Sequence, residues 1–541
     1  MTGRSAARVG RSSLVTACFG AAILLGLALR VVQYAANRSL WFDEAMLALN
    51  ILHRSAAGLT ATLDFNQVAP IGFLQTEKLA THAFGASELA LRLFPLLLGL
   101  ASVPLFAFLA MRVLAPAAAA LATVVFACAP GAVYYSSEVK QYSGDLAVGV
   151  TLLALALVLL DPATSRRRRI VAAVVGAAAI PFSTASAFVV GGVAVALVVS
   201  LLLRRDRVRE EAVAAVGLWL VSAIGLVVFT ATRASKLDAA IGTGSNLYLN
   251  ATDGASRHLT WARQVASGIW RTAGYPDSAP ERYVHWPLAG LALVGFLSLL
   301  RRKPIVASML VLPFAVMAVA SVLHRYPVFD RTVLFLVPAT LLLVAEGASA
   351  VVVMARRRAV QYASAAVFAA LVATAPLAHA AGNAVDPIKH EEVKSALISM
   401  RARWQPGDAL FVDEGTRPVL RYYLDCGCLR AAEQRGAGLE WRFGASPGRD
   451  GHAPEPLLSV PPRFVVGELA APSFDAFARQ LGALRGRRRV WILYSHLSSP
   501  NADGLAISTV LHELDGHARR LAAFHGVGVN AYLYDLRVIQ R

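Results

Sequence analysis

Asp43 and Glu44 stand side by side in Ser39-Leu40-Trp41-Phe42-Asp43-Glu44-Ala45, directly after the first long apolar run. At a helix start, neighbouring side chains diverge by about 100°. One carboxylate can then face a cavity as a general base while the other holds a neighbouring group. Acidic residues at the N-terminus of a helix through Ala45–Leu52 explain the same pair without chemistry. Because structural ion pairs are common, that plainer reading carries more weight on local sequence alone. Lysine usage shifts the balance, because the basic residues are overwhelmingly arginine and only Lys78, Lys140, Lys236, Lys303, Lys389 and Lys394 are lysines. Lys78 follows Glu77, and Lys140 lies in Tyr134-Tyr135-Ser136-Ser137-Glu138-Val139-Lys140-Gln141-Tyr142. A compact ammonium binds phosphate as a point charge; a solvated loop charge is the competing account of each lysine. At helical spacing Glu138, Tyr142 and Asp145 share one face. Asp145 inside an apolar helix needs a partner, which a polar face turned to a cavity would supply.

A third stretch, His324-Arg325-Tyr326-Pro327-Val328-Phe329-Asp330-Arg331, links two apolar runs. Arg331 can bind a lipid phosphate, or simply snorkel to headgroups. His324 is more often an interface histidine than a base. Other motif-like strings fail. His512 and His517 are five apart where a zinc-binding helix face needs four, and Gly242-Thr243-Gly244 and Gly526-Val527-Gly528 lack a phosphate-loop context. Asn246, Tyr248, Asp253, Trp261 and Trp270 in a later loop are a groove-like composition without a decisive pattern.

The elements that must position these residues are set by composition. The 541 residues are 56% hydrophobic and 16% charged, against about 25% charged in an ordinary soluble domain. Mean hydropathy is +0.55. A spanning helix needs about 20 apolar residues, and candidates occur near 13–33, 88–111, 115–134, 143–160, 170–184, 186–203, 212–232, 286–300, 305–323, 332–352 and 360–380. This predicts a polytopic all-α membrane protein of about 11 spans. The outer loops are then 34–87, 134–142, 233–285 and 324–331, within a membrane domain of residues 1–380.

Net charge is +18 with pI about 10.2, which in a soluble chain would suggest nucleic acid. Position argues otherwise. Arg4, Arg8 and Arg11 precede the first span, and Arg112, Arg166–Arg169, Arg204, Arg205, Arg207, Arg209, Arg301, Arg302, Lys303 and Arg356–Arg358 follow alternate spans, so that all lie on one side of the membrane. These clusters, with Asp161, Asp206, Glu210 and Glu211, carry +14 of the +18. The positive-inside rule makes that side the cytoplasm, with the N-terminus inside and the C-terminus outside. The expected location is the bacterial cytoplasmic (inner) membrane. The first span reads as an uncleaved anchor, because no small-x-small cleavage site closes it. The tail, 381–541, alternates helix-like and strand-like runs and predicts a small extracytoplasmic α/β domain. Its Cys426-Gly427-Cys428 is either a local disulfide or two free thiols.

Together these elements resemble the C-type glycosyltransferase (GT-C) superfamily, and within it the protein O-mannosyltransferase and aminoarabinose-transferase family. Asp43-Glu44 is followed by Ala69-Pro70-Ile71-Gly72 leading to Glu77-Lys78. Tyr135–Tyr142 is similar to that family's Tyr-Ser-x-Glu-x-Arg/Lys-x-Tyr element, and His324–Arg331 to its His-x-Tyr-Pro element. The resemblance runs from the first span to about residue 352. One departure is Val68-Ala69 before Pro70, where relatives often carry His or Lys.

The resemblance implies transfer of a sugar from a polyprenyl-phosphate donor in the outer leaflet to an acceptor protein, lipid or glycan. Asp43 would be the general base. Glu44 would orient the acceptor, the loop or a bound cation. Lys78, Lys140 or Arg331 would meet the lipid phosphate, and Tyr135, Glu138, Tyr142, Asp145, His324 and Tyr326 would line the cavity. Displacement would invert the anomeric carbon. A leaving group that is already a phosphate requires no cofactor and makes a divalent cation optional; no metal ligands are assigned. Membrane lipids are expected partners and nucleic acid is not. A transporter or flippase of a lipid-linked envelope precursor is the alternative. A non-catalytic assembly or sensor protein acting through its tail is a third.

Overall fold

The computed structural model describes residues 2–202, 210–233, 247–250, 253–278, 281–429, 464–467, 469, 473–495 and 507–537. Arg204, Arg205, Arg207, Arg209, Lys236, Gly242-Thr243-Gly244 and Asn246 lie outside the described residues. In chain order the α-helices through the membrane region are α1 (Thr2–Ala35), α2 (Phe42–His53), α3 (Ile71–Phe84), α4 (Glu88–Val113), α5 (Pro116–Cys128), α6 (Pro130–Tyr134), α7 (Tyr142–Leu160), α8 (Arg166–Ala179), α9 (Ser186–Leu202), α10 (Glu210–Ala231), α11 (Ala255–Ala273), α12 (His285–Arg302), α13 (Pro304–Val322), α14 (Val337–Met354) and α15 (Arg358–Val385). Among the described residues of the tail, α16 (Val393–Arg403), α17 (Arg417–Asp425), α18 (Phe474–Gln480) and α19 (Ile507–His517) follow. The chain divides into two compact units, one of Met1–Ala36, Thr60–Glu77 and Arg92–Ile388, the other of Asn37–Leu59, Lys78–Leu91 and Lys389–Arg541.

A helix occupies each of the eleven expected spans. Among the described residues, seven helical segments are long and apolar enough to cross a membrane: Val15–Ala35, Glu88–Val113, Tyr142–Leu160, Glu210–Ala231, Pro304–Val322, Asp330–Met354 and Arg358–Val385. The chain is a multi-pass membrane protein. The span expected at 115–134 is not one straight helix but a pair, Pro116–Cys128 and Pro130–Ser137, bent by 54° and passing the same test together. Pro130 lacks the N–H that would continue α5, yet suits the first turn of a new helix. The buried Arg30 guanidinium of α1 donates to Ala127 O at the break (3.2 Å) and to Gly26 O (2.9 Å). Helices α8 and α9 have 14 and 17 residues, and the 3₁₀ turn Ile180–Phe182, which contains Pro181, joins them.

Helices α12 and α14 approach backbone to backbone. A Cβ at Gly295 would collide with Leu343 O, and one at Gly347 with Leu291 O. Glu346, buried on α14, accepts from Ser298 Oγ (2.7 Å) and pairs with Arg302, so this carboxylate is paired. Gly295→Ala is therefore expected to cost at least about 1–3 kcal/mol. It should reduce the monodisperse fraction in detergent gel filtration; a wild-type elution profile would contradict this contact.

In the second unit a five-stranded sheet has the order β2-β1-β3-β5-β4, with β1 (Ala409–Asp413), β2 (Phe464–Gly467), β3 (Val490–Ser495), β4 (Arg519–Gly526) and β5 (Val529–Asp535). The first three strands are parallel; β5 is antiparallel to β3 and β4 to β5. Strands β1 and β3 are buried along their whole length, as parallel strands covered on both faces must be. Phe411, Ile492 and Tyr534 pack with Phe477 of α18 and Leu514 of α19. Strand β4 was not predicted, because its exposed edge position leaves no apolar alternation. Gly526-Val527-Gly528 leads into its two-residue hairpin turn. Gly528 has φ +64°, and a Cβ there would strike His390 O. Cys426 and Cys428 are bridged.

Candidate functional site

Asp43, Glu44 and Lys78 belong to the second unit. Trp41 precedes α2 with extended backbone, so Asp43 and Glu44 fall in its first turn, where the helix dipole favours negative charge. Glu44 is fully buried. It accepts from Arg38 Nη1 (2.8 Å) and from Trp41 N–H (3.4 Å), the second contact closing the helix start as a capping box does. Asp43 is half-buried beside it. The two carboxylates thus have different surroundings, one enclosed by an arginine and one accessible.

Residues far along the chain fix this turn. Glu391 accepts from Phe42 N–H (3.2 Å), Glu392 from Ser39 N–H (3.3 Å), and Tyr423 OH from Leu40 N–H (2.9 Å). Tyr423 donates in turn to Glu88 (3.2 Å), which pairs with Lys394 at 2.8 Å. His390 packs near Trp41, with ring centroids 6.1 Å apart; burial, then the Arg38 guanidinium, pull its imidazole below the usual range. Lys78 donates to Ile51 O (2.8 Å) and Leu52 O (3.2 Å). It caps the last turn of α2, and burial lowers its pKa. Its neighbour Glu77, in the first unit, is fully buried. Neither of its carboxylate oxygens has a hydrogen-bond partner among the described residues, and burial raises its pKa well above the carboxylate range.

Lys140, Arg331 and the expected cavity residues belong to the first unit. Tyr135 meets Tyr142 edge to face at 5.2 Å, and the Arg331 guanidinium lies 5.7 Å from the Tyr142 ring and 4.9 Å from Phe329, a cation–π arrangement. Asp330, next to Arg331, is held by Arg271 at 2.7 Å. Lys140 is 5% exposed, and its Nζ donates to Gln67 Oε1 at 2.5 Å. Tyr326 OH donates to Thr332 O (2.9 Å), and His324, at φ +54°, packs on Tyr248 with ring centroids 5.1 Å apart. The expected common helix face of Glu138, Tyr142 and Asp145 does not form. Residues Tyr135–Ser137 make a 3₁₀ turn, Glu138 is extended at φ −122°, and α7 starts only at Tyr142. Asp145 accepts from Ser183 Oγ (2.7 Å) and Ala185 N–H (3.0 Å), so it fastens the α8–α9 turn.

Arg38, Gln67, Arg271, Glu391, Glu392 and Tyr423 escaped sequence reading. Arg38 carried a signal, a lone arginine six residues before a buried-type carboxylate. The others had none, because the partners named above lie between 59 and 383 residues away. Among the described residues no group of three or more His, Cys, Asp or Glu could hold a metal ion.

No family model matches the chain, and no curated protein matches it by sequence. Solved structures do. ArnT from Cupriavidus metallidurans bound to undecaprenyl phosphate aligns at TM-score 0.51 and 16% identity, over 97% of this chain and 98% of that one. The same ArnT in the apo state aligns equally. The Archaeoglobus fulgidus oligosaccharyltransferase aligns at TM-score 0.48 and 12% identity, over 75% of this chain and 61% of that one. The ArnT likeness extends end to end, through the membrane helices and the tail alike. This chain is a multi-pass membrane protein with the fold of ArnT.

Proposed function

We propose that this protein transfers a sugar from a polyprenyl-phosphate donor to an acceptor hydroxyl at the outer face of the bacterial cytoplasmic membrane. The observation that carries the reading is the end-to-end fold likeness to ArnT, a neighbour solved with undecaprenyl phosphate. The local chemistry supports it. Asp43 sits half-buried in the first turn of α2 on a turn fixed by three hydrogen bonds. It takes the proton as the acceptor oxygen attacks the anomeric carbon. The bond from that carbon to the phosphate oxygen breaks, its electron pair leaves with the phosphate, and the configuration inverts. With Lys78 engaged at the end of α2, the phosphate falls to Lys140 and Arg331, cationic groups suited to developing negative charge. Glu44 holds Arg38 and the loop. The leaving group is already a phosphate, so the transfer needs no cofactor. The N-terminus is cytoplasmic and the sheet-bearing unit extracytoplasmic.

Deletion of the gene tests the reading. The envelope glycans or lipids should lose one sugar by mass spectrometry, polyprenyl-phosphate sugar should accumulate, and wild-type protein should restore both. Restoration by Asp43→Asn, with labelled lipid crossing the membrane and no transfer product, would replace the enzyme by a flippase.

A further inference from the structure

The segment before Pro70 is strained. Phe65 and Asn66, neither of them glycine, both hold left-handed backbone at φ +60° and +53° within the 3₁₀ turn Asp64–Asn66. Such a conformation is a real outlier for an aromatic residue, and it persists only where surrounding structure imposes it. Here its product is the placement of Gln67. The Gln67 N–H donates to Asp64 O (3.3 Å) and its side-chain Nε2 to Phe65 O (3.3 Å). That second bond fixes which end of the amide is oxygen, and the oxygen accepts from Lys140 Nζ at 2.5 Å. Lys140 is itself held, its N–H donating to Glu138 O (2.7 Å), between the fully buried Glu138 and Val139 and the partly buried Gln141.

We propose that Gln67 is a positioning residue for the Lys140 ammonium, and so a determinant of affinity for the phosphate of the lipid-linked donor. This rests on the donor reading above. A lysine stem has many rotamers, and a fixed acceptor removes part of that freedom before the ligand arrives. The acceptor is a neutral amide. It orients the ammonium without cancelling its charge, whereas a carboxylate in the same place would pair with the ammonium and compete with the phosphate.

The test uses full-length protein in detergent with undecaprenyl phosphate as the probe. Gln67→Leu should weaken binding about tenfold, the scale of one lost hydrogen bond to a charged group. Gln67→Glu, of nearly identical shape, should weaken it further. In a Lys140→Ala background Gln67→Leu should change nothing more. A second readout is acylation of lysine amines followed by peptide mass spectrometry. Gln67→Leu should alter the labelling rate of Lys140 and leave those of Lys303 and Lys394 unchanged. Wild-type affinity in Gln67→Leu and Gln67→Glu, while Lys140→Ala loses binding, overturns this inference and leaves the donor reading standing. Additive losses in the double variant overturn it too. Wild-type affinity in Lys140→Ala overturns the assignment of the phosphate to Lys140 and this inference with it.

Discussion

Asp43→Asn should lower sugar transfer by about 10²–10⁴-fold, the usual span of a positioned general base, and leave the protein folded. Asparagine keeps the size and hydrogen-bonding reach of aspartate but cannot take a proton near neutral pH. The scaffold under it does not depend on that proton. Leu40, Phe42 and Ser39 are held through their backbone N–H groups by Tyr423, Glu391 and Glu392, and the helix start is closed by Glu44. A fall in rate with an unchanged melting temperature is the expected pair of results. Wild-type transfer in the variant would remove Asp43 from the chemistry. A fall in rate matched by a fall in melting temperature would make Asp43 a helix-start residue like its neighbour.

Arg38→Ala has the opposite signature, with a large loss of stability. The Arg38 and Glu44 side chains are 1% and 0% exposed and meet at 2.8 Å. Removing one partner of such a pair strands the other charge away from water, at a cost of about 3–5 kcal/mol. The pair itself need not be stabilising, since well-packed apolar replacements of both partners are often neutral or better. Arg38→Met with Glu44→Leu should therefore recover much of what Arg38→Ala loses. Thermal unfolding of the purified protein in detergent reads both variants. A loss below about 1 kcal/mol in Arg38→Ala, the range of a solvent-exposed pair, would show that water reaches Glu44. The two predictions separate neighbouring carboxylates: Asp43 is read by rate and Glu44 by stability.

The apolar runs marked where the membrane helices lie, because spanning a bilayer demands an unbroken apolar length that no other element needs. They could not show that 115–134 is bent, although Pro130 stood in it. A proline in an apolar run can kink one helix or start another, and the outcome depends on what receives the freed carbonyls; here Arg30 does. The tail's alternation of helix and strand was legible wherever strands were buried. It failed at β4, whose exposed edge carries no pattern.

The candidate residues show the same division. Residue type and order pointed to two carboxylates, a few lysines and an arginine in the outer loops and at the outer ends of the spans. Chemistry belongs to side-chain type, and type is written in the chain. What each of them does is a matter of partners, and partners are chosen by folding. Lys78, a phosphate candidate by sequence, caps α2. Asp145, a cavity candidate, holds a turn. Lys140 meets an amide 73 residues away, offered by a strained loop. The Asp43 turn is held by side chains about 350 to 383 residues further on. Periodicity and spacing describe neighbours within a few turns of helix. Contacts across such separations are fixed by packing, which only the tertiary structure decides.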